Sequence, residues 1–272
     1  LGAIMVVVTI AIVLLTRERY YERLVDHKQK KIPLADTLWR TLDCKPFRLM
    51  LGMALAYSIG TAMVSALGYY TTIYYVCHGD IVTASAWNFW MGVAGMGFGF
   101  MGIPFFTTIA RHFGKPRGLA VVFTLAIAAF IGDWWFYDPN HPWMQLLACG
   151  CVAFTGAGFW ILLGSVAADV VDYDELETGQ RREGSFAACQ SWITKVGIAL
   201  GVGSSGWILQ FTGFNAKLPV QSEHAIFMIR ILLTGIPVTG LFIALLVVLR
   251  FPLTEQRMHD IRTRLEARRG TV

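Results

Sequence analysis

Charge is scarce in this chain. Asp, Glu, Lys and Arg make up 15% of its 272 residues, where a soluble domain carries about 25%. With 55% hydrophobic residues and a mean hydropathy of +0.53, the deficit excludes an ordinary water-facing surface over most of the chain. Cysteine is also sparse: five residues, an odd number, with no C-x-x-C pair and only Cys149 and Cys151 close together. That pattern excludes a disulfide framework or a zinc site and leaves the cysteines as small apolar members of a bundle. No charged segment precedes the apolar run 1–15, so it does not read as a secretory signal peptide. The run starts in mid-element and is read as the remainder of a longer membrane protein. Histidine is missing from the interiors of the apolar runs, so a relay of buried imidazoles has no support in this chain.

What is present is a series of apolar stretches of roughly 18 residues or more, each enough to cross a bilayer as a helix. After the shorter run 1–16 and a polar connector over 17–45, six spans are expected at about 46–76, 82–110, 119–136, 143–171, 184–211 and 225–249. A helical turn is expected at the start of the connector, near 16–24. The segments joining the spans alternate in charge. The connector 17–45 is rich in Lys and Arg, and the turn 111–118 carries Arg111, Lys115 and Arg117. Arg181 and Arg182 lie in a third basic turn, and the tail 251–272 carries Arg257, Arg262, Arg264, Arg268 and Arg269. The intervening turns hold Lys217 at most, and the one near 133–143 is rich in Trp, as a membrane interface requires. Excess Lys and Arg mark the cytoplasmic side, so both the connector and the C-terminus are expected there. The net charge of +5 and isoelectric point near 9.0 are thereby assigned to a lipid surface, with no role for nucleic acid.

The most informative stretch is 167–201. Asp169 and Asp172 are spaced to share one helix face, and they sit where acids oppose the negative end of the helix dipole. Basic partners are therefore expected, and Arg181, Arg182, Arg111 and Lys115 are the candidates. Past the charged turn, Lys195 lies well inside an apolar run. An ammonium at that depth costs at least ~3 kcal/mol unless it faces a cavity or a partner. Ser191 lies one turn before it, and Gln190 and Thr194 form the neighbouring pair, so the four make one polar stripe suited to the hydroxyls of an uncharged ligand. Arg230, near the start of the last span, is expected to reach the interface by extending its stem along apolar surface.

These residues carry a resemblance. D-x-x-D-Y-x-E (Asp169, Asp172, Tyr173, Glu175), then R-x-E (Arg181, Glu183), then Q-S-x-x-x-K (Gln190, Ser191, Lys195) resembles the glycoside–pentoside–hexuronide:cation symporters, the melibiose permease group of the major facilitator superfamily. The resemblance implies an all-α polytopic protein and identifies this chain with the second half of that fold. Residues 1–16 would end helix six, 17–45 would be the cytoplasmic connector between halves, and 46–250 would be helices seven to twelve. Residues 251–272 would be a basic cytoplasmic tail. It implies that Lys195, Gln190, Ser191 and Thr194 line a sugar cavity, and that Trp160 stacks near the sugar. Asp169, Asp172, Glu175, Arg181, Glu183, Arg111 and Lys115 would form a charge network closing the cytoplasmic side. No cofactor is implied beyond the coupling cation, Na+ or H+, whose main site falls in the missing N-terminal half.

The function expected is cation-coupled symport of a sugar or glycoside across the inner membrane, with the other half of the protein as partner and no enzymatic activity. A lysophospholipid is the alternative cargo, since vertebrate lipid transporters resemble the same family. A pseudo-transporter or receptor on the same fold is a further alternative. A third is an Mg2+-dependent prenyltransferase-like enzyme, with Asp169, Asp172, Asp174 and Glu175 as oxygen ligands. It would lack the second acidic motif such enzymes resemble one another in having, and it would leave Lys195 unexplained.

Overall fold

The computed structural model describes residues 2–15, 41–215, 218 and 221–269. The connector helix expected near 16–24 and Lys217 lie outside the described residues. Helix α1, Gly2–Leu15, belongs to a unit of its own comprising residues 1–37, and the rest of the chain forms a second unit.

In that second unit the apolar runs become α2 (Lys45–Tyr70), α3 (Ile81–Phe113), α4 (Lys115–Phe136), α5 (Gln145–Thr178), α6 (Glu183–Phe211) and α7 (Glu223–Leu249). Helix α8 (Glu255–Arg269) follows. A π-helical turn, Thr71–Val76, prolongs α2. Six of these helices are long and apolar enough to span a bilayer. Their ends are marked by turn chemistry. Asp80 caps α3 by accepting from the Val82 and Thr83 amides, and Ser222 caps α7 by accepting from Ala225. Gly179 ends α5 at φ +71, where its N–H donates to the Glu175 carbonyl. Left-handed backbone there favours glycine. Between α4 and α5, Asp138 accepts from both nitrogens of Asn140 and pairs with His141 Nδ1 at 2.9 Å. The His141 hydrogen bond, foremost, and the Asn140 amide hold the Asp138 carboxyl below the usual carboxylate range.

The helices pack as an open arc. Helix α3 lies on α5, α5 on α4, α4 on α7, α7 on α2, and α2 on α6. The core is built where α2, α4, α5 and α7 meet, around Phe47, Met53, Phe123, Phe159, Leu163 and Leu241. Helices α3 and α6 are the flanks. Each rests on one main neighbour and leaves large apolar side chains uncovered, among them Phe89, Met96 and Phe100 on α3 and Trp192, Leu200 and Trp207 on α6.

Small residues set how closely the flanks dock. A Cβ at Gly102 would run into the Phe154 backbone, and one at Gly158 into the Phe106 ring, so α3 and α5 touch nearly backbone to backbone. On the other flank, a Cβ at Gly201 would lie 2.7 Å from Ala62 Cβ and 2.8 Å from the Ile59 carbonyl. Apolar burial gives no net drive between helices in lipid, so such close van der Waals packing is what holds them. Gly158→Val and Gly201→Val should each destabilise the bundle by about 1–3 kcal/mol through overpacking. Thermal unfolding in detergent or nanodiscs checks this, with Gly203→Ala, which faces open space, as the control that leaves the midpoint unchanged.

Candidate functional site

Two polar features interrupt the apolar bundle. The first is the stripe on α6. Phe186, Gly197, Gly201 and Leu209 are the buried positions of that helix. The face they define turns Ser191 and Lys195 outward and leaves Gln190 and Thr194 half-buried. Lys195 makes no ion pair among the described residues. Behind the stripe, Gly197 abuts Ser58 and Leu55 of α2, and the buried Ser58 hydroxyl has no hydrogen-bond partner. Trp160 of α5 is 44% exposed. Its ring meets Tyr57 of α2 edge-on at 6.0 Å and Phe159 at 5.1 Å, so the partly exposed indole rests on an aromatic base. Among the described residues, no hydrogen bond or ring contact joins Trp160 to the Lys195 stripe.

The second feature is a charge cluster at the basic end of the bundle. Asp169, in the penultimate stretch of α5, has a side chain only 7% exposed. Lys115, the first residue of α4, donates from Nζ to its Oδ2 at 2.7 Å and to the Ser165 carbonyl at 3.1 Å. Arg262 of α8 donates to its Oδ1 at 2.8 Å. Both oxygens of one buried carboxylate are thus held by cations from two other helices. Gly114, at φ +87, makes the turn that delivers Lys115, and Glu255 at the start of α8 packs against it. A cavity of about 430 Å³ opens beside the clamp, with Arg111, His259 and Arg262 among its walls. Arg111 lines this cavity without an ion pair among the described residues.

Asp172 does not join Asp169. It lies 3.9 Å from Arg181, which also holds Glu175 at 3.2 Å and Glu183 at 3.3 Å. That group, with Asp172 and Glu175 half-buried and Arg181 and Glu183 exposed, forms a second, looser cluster around one guanidinium. Arg182 makes a third. It pairs through two nitrogens with Asp174, both side chains under 10% exposed, and its guanidinium lies 5.8 Å over the Phe186 ring. The carboxylates of this helix end are therefore neutralised by Lys and Arg, which answers their clash with the helix dipole. It also leaves Asp169, Asp174 and Glu175 engaged with cations rather than arranged as oxygen ligands for Mg2+.

Arg262 is the residue that sequence reasoning missed. Treated as part of a basic tail, it carries no individual signal. The available signal is the apolar spacing around it. Met258, Ile261 and Leu265 fall on one helical face, and all three are buried in the main core, which brings the adjacent Arg262 to α5. In the sequence, Asp174 stands out only among the oxygen ligands of the Mg2+ alternative.

Comparison with known proteins identifies the class. Residues 1–255 match the family of MFS/sugar transport proteins, and the chain belongs to that family. It is similar to an uncharacterized symporter of Synechocystis, 37% identical over 159 residues, covering 57% of this chain and 25% of the relative. A candidate glycoside/cation symporter of Escherichia coli is 34% identical over 103 residues, covering 37% and 22%. An uncharacterized symporter of Bacillus subtilis is 24% identical over 243 residues, covering 86% and 49%. The chain spans no more than about half the length of these relatives. The protein is thus an integral, multi-pass membrane protein of a transporter family and not an enzyme.

The clamp makes a quantitative prediction. Asp169→Asn should cost on the order of 1–3 kcal/mol, because it weakens two charge-assisted hydrogen bonds at a buried acceptor. Arg262→Gln should cost less, roughly 0.5–1 kcal/mol, since that side chain is half exposed and screened. A double-mutant cycle on unfolding midpoints should show that the two effects are not additive. Additivity would mean that Arg262 and Asp169 do not interact.

Proposed function

We propose that this chain is one half of a cation-coupled symporter, moving a sugar or glycoside with Na+ or H+ by alternating access. The observation that carries the reading is the α6 stripe. Ser191 and Lys195 face outward from a flank helix, with Gln190 and Thr194 half-buried beside them, and the cation among them has no partner within the described residues. Exposed to lipid, that ammonium would cost several kcal/mol; against a second six-helix half it would line a water-filled cavity. Hydroxyl-rich, uncharged ligands match its donors and acceptors, and the partly exposed indole of Trp160 suits the apolar C–H side of a sugar ring.

In this reading α3 and α6, the two uncovered flanks, are where the other half docks. The main cation site lies in that half. The basic end faces the cytoplasm of a cell whose inner membrane holds the protein, and the C-terminus ends on that side. The Asp169 clamp and the Arg181 cluster then belong to a cytoplasmic gate whose closure favours the outward-facing conformer. The name given to the E. coli relative, a glycoside/cation symporter, supports this choice of cargo class.

The test is Lys195→Ala in the transporter containing both halves. Losing a charged hydrogen-bond donor in the cavity is worth ~1.5–3 kcal/mol, so gradient-driven uptake should fall by about tenfold or more while the protein still reaches the membrane. Normal accumulation by that variant contradicts the proposed role.

A further inference from the structure

The last turn of α4 holds a carboxyl group that the clamp and the stripe leave unexplained. Asp133 lies within the α4 span, is 3% exposed, and its Oδ1 is sealed from solvent with no hydrogen-bond partner. It makes no ion pair with any described residue. Its backbone carbonyl is engaged by the Tyr137 N–H, so only the side chain is unmatched.

The groups facing it do not offer a countercharge. On its own helix, the Tyr137 side chain lies one turn on and is buried. From α5 come the thiols of Cys149 and Cys151. Helix α7 brings Arg230, the one guanidinium at this end among the described residues. Arg230 extends to the last turn of α4, at the Trp-rich segment. It is half-buried, donates to the Trp134 carbonyl at 2.7 Å, and is sandwiched between the rings of Trp134 (4.4 Å) and Tyr75 (4.3 Å). Its Nε, like the Asp133 oxygen, is buried without a partner.

An ionised carboxylate removed from water without a partner costs several kcal/mol, and a proton is the simplest neutraliser. We propose that Asp133 is a proton-binding site: it holds a proton in this conformation and gives it up when α7 shifts so that Arg230 can pair with it. In that step the carboxyl loses H+ to the outer water, and the guanidinium supplies the compensating positive charge. Arg230 is tied to the acid's chain neighbour through the Trp134 carbonyl, and its unengaged Nε is the donor that the carboxylate would recruit. Proton binding stands on the geometry alone; its use in transport rests on the symport reading.

The experiment compares the membrane-reconstituted protein with its Asp133→Asn variant. Infrared spectra near neutral pH should show a protonated-carboxyl C=O band that shifts in D2O and is absent from Asp133→Asn. No such band, or one that persists in the variant, overturns the proposal, whether or not the protein transports anything. Unfolding gives a second, independent readout. The folded state keeps a proton that the unfolded chain releases above a pH of about 4, so raising the pH should lower the wild-type midpoint relative to the variant. Parallel pH profiles overturn proton binding. In the transporter containing both halves, Asp133→Asn should retain substrate exchange but lose the pH dependence of uptake. If the infrared band is present and uptake keeps its wild-type pH profile, the link to the transport cycle is overturned.

Discussion

A single buried carboxylate governs the basic end of the bundle. Asp169 is almost sealed from water, and an unpaired charge there would be far more costly than any surface ion pair is worth. Its position therefore requires cations, and they come from places distant in sequence: Lys115, delivered by the α3–α4 turn, and Arg262, delivered by the terminal helix. Because both oxygens are used, α4, α5 and α8 are held in one arrangement, with Met258, Ile261 and Leu265 seated in the core beneath. The Arg182–Asp174 pair does the same for the α5–α6 turn. An electrostatic liability at the end of one helix thus organises three connections, and a change of conformer at this end has to break or replace those pairs.

Toward the middle, the governing constraint is different. Within the spans, contacts of the Gly102, Gly158 and Gly201 kind hold helix to helix at near-backbone separation. They fix the flanks α3 and α6 at the two ends of the arc, and the arc is open. The uncovered apolar residues on those flanks, with a polar stripe set among them on α6, describe a surface that one half of a transporter would present to the other. The polar stripe and the charge clamp lie on different elements, α6 for the first and α4, α5 and α8 for the second, so under the proposed function cargo contacts and gate contacts can change independently.

Much of this was legible in the sequence. The six spans follow from apolar runs whose ends are punctuated by Gly, Pro and charge, and the observed helices depart from the expected ones mainly at the basic end, where they run on past the apolar boundary. Helix α5 continues to Thr178 because Lys and Arg neutralise its acidic last turns. Lys195 was legible for a physical reason, since an ammonium inside an apolar run demands an explanation. The illegible parts depend on which helices are neighbours in space. The spacing of Asp169 and Asp172 puts them on one helix face, yet each meets a different cation, because the partners are set by tertiary packing. In sequence Arg262 is one more residue of a basic tail and Asp133 one residue of a Trp-rich turn; only helix packing pairs the first and buries the second.

The central claim is that the stripe and the clamp serve coupled transport. The most direct test is uptake by the reconstituted two-half protein of a panel of labelled glycosides, with and without an imposed Na+ or H+ gradient. The account predicts that one glycoside accumulates above its equilibrium level only while one of those gradients is present. Failure of every sugar to accumulate under either gradient, by a protein shown to be folded and inserted, would contradict it and leave the fold and family standing alone.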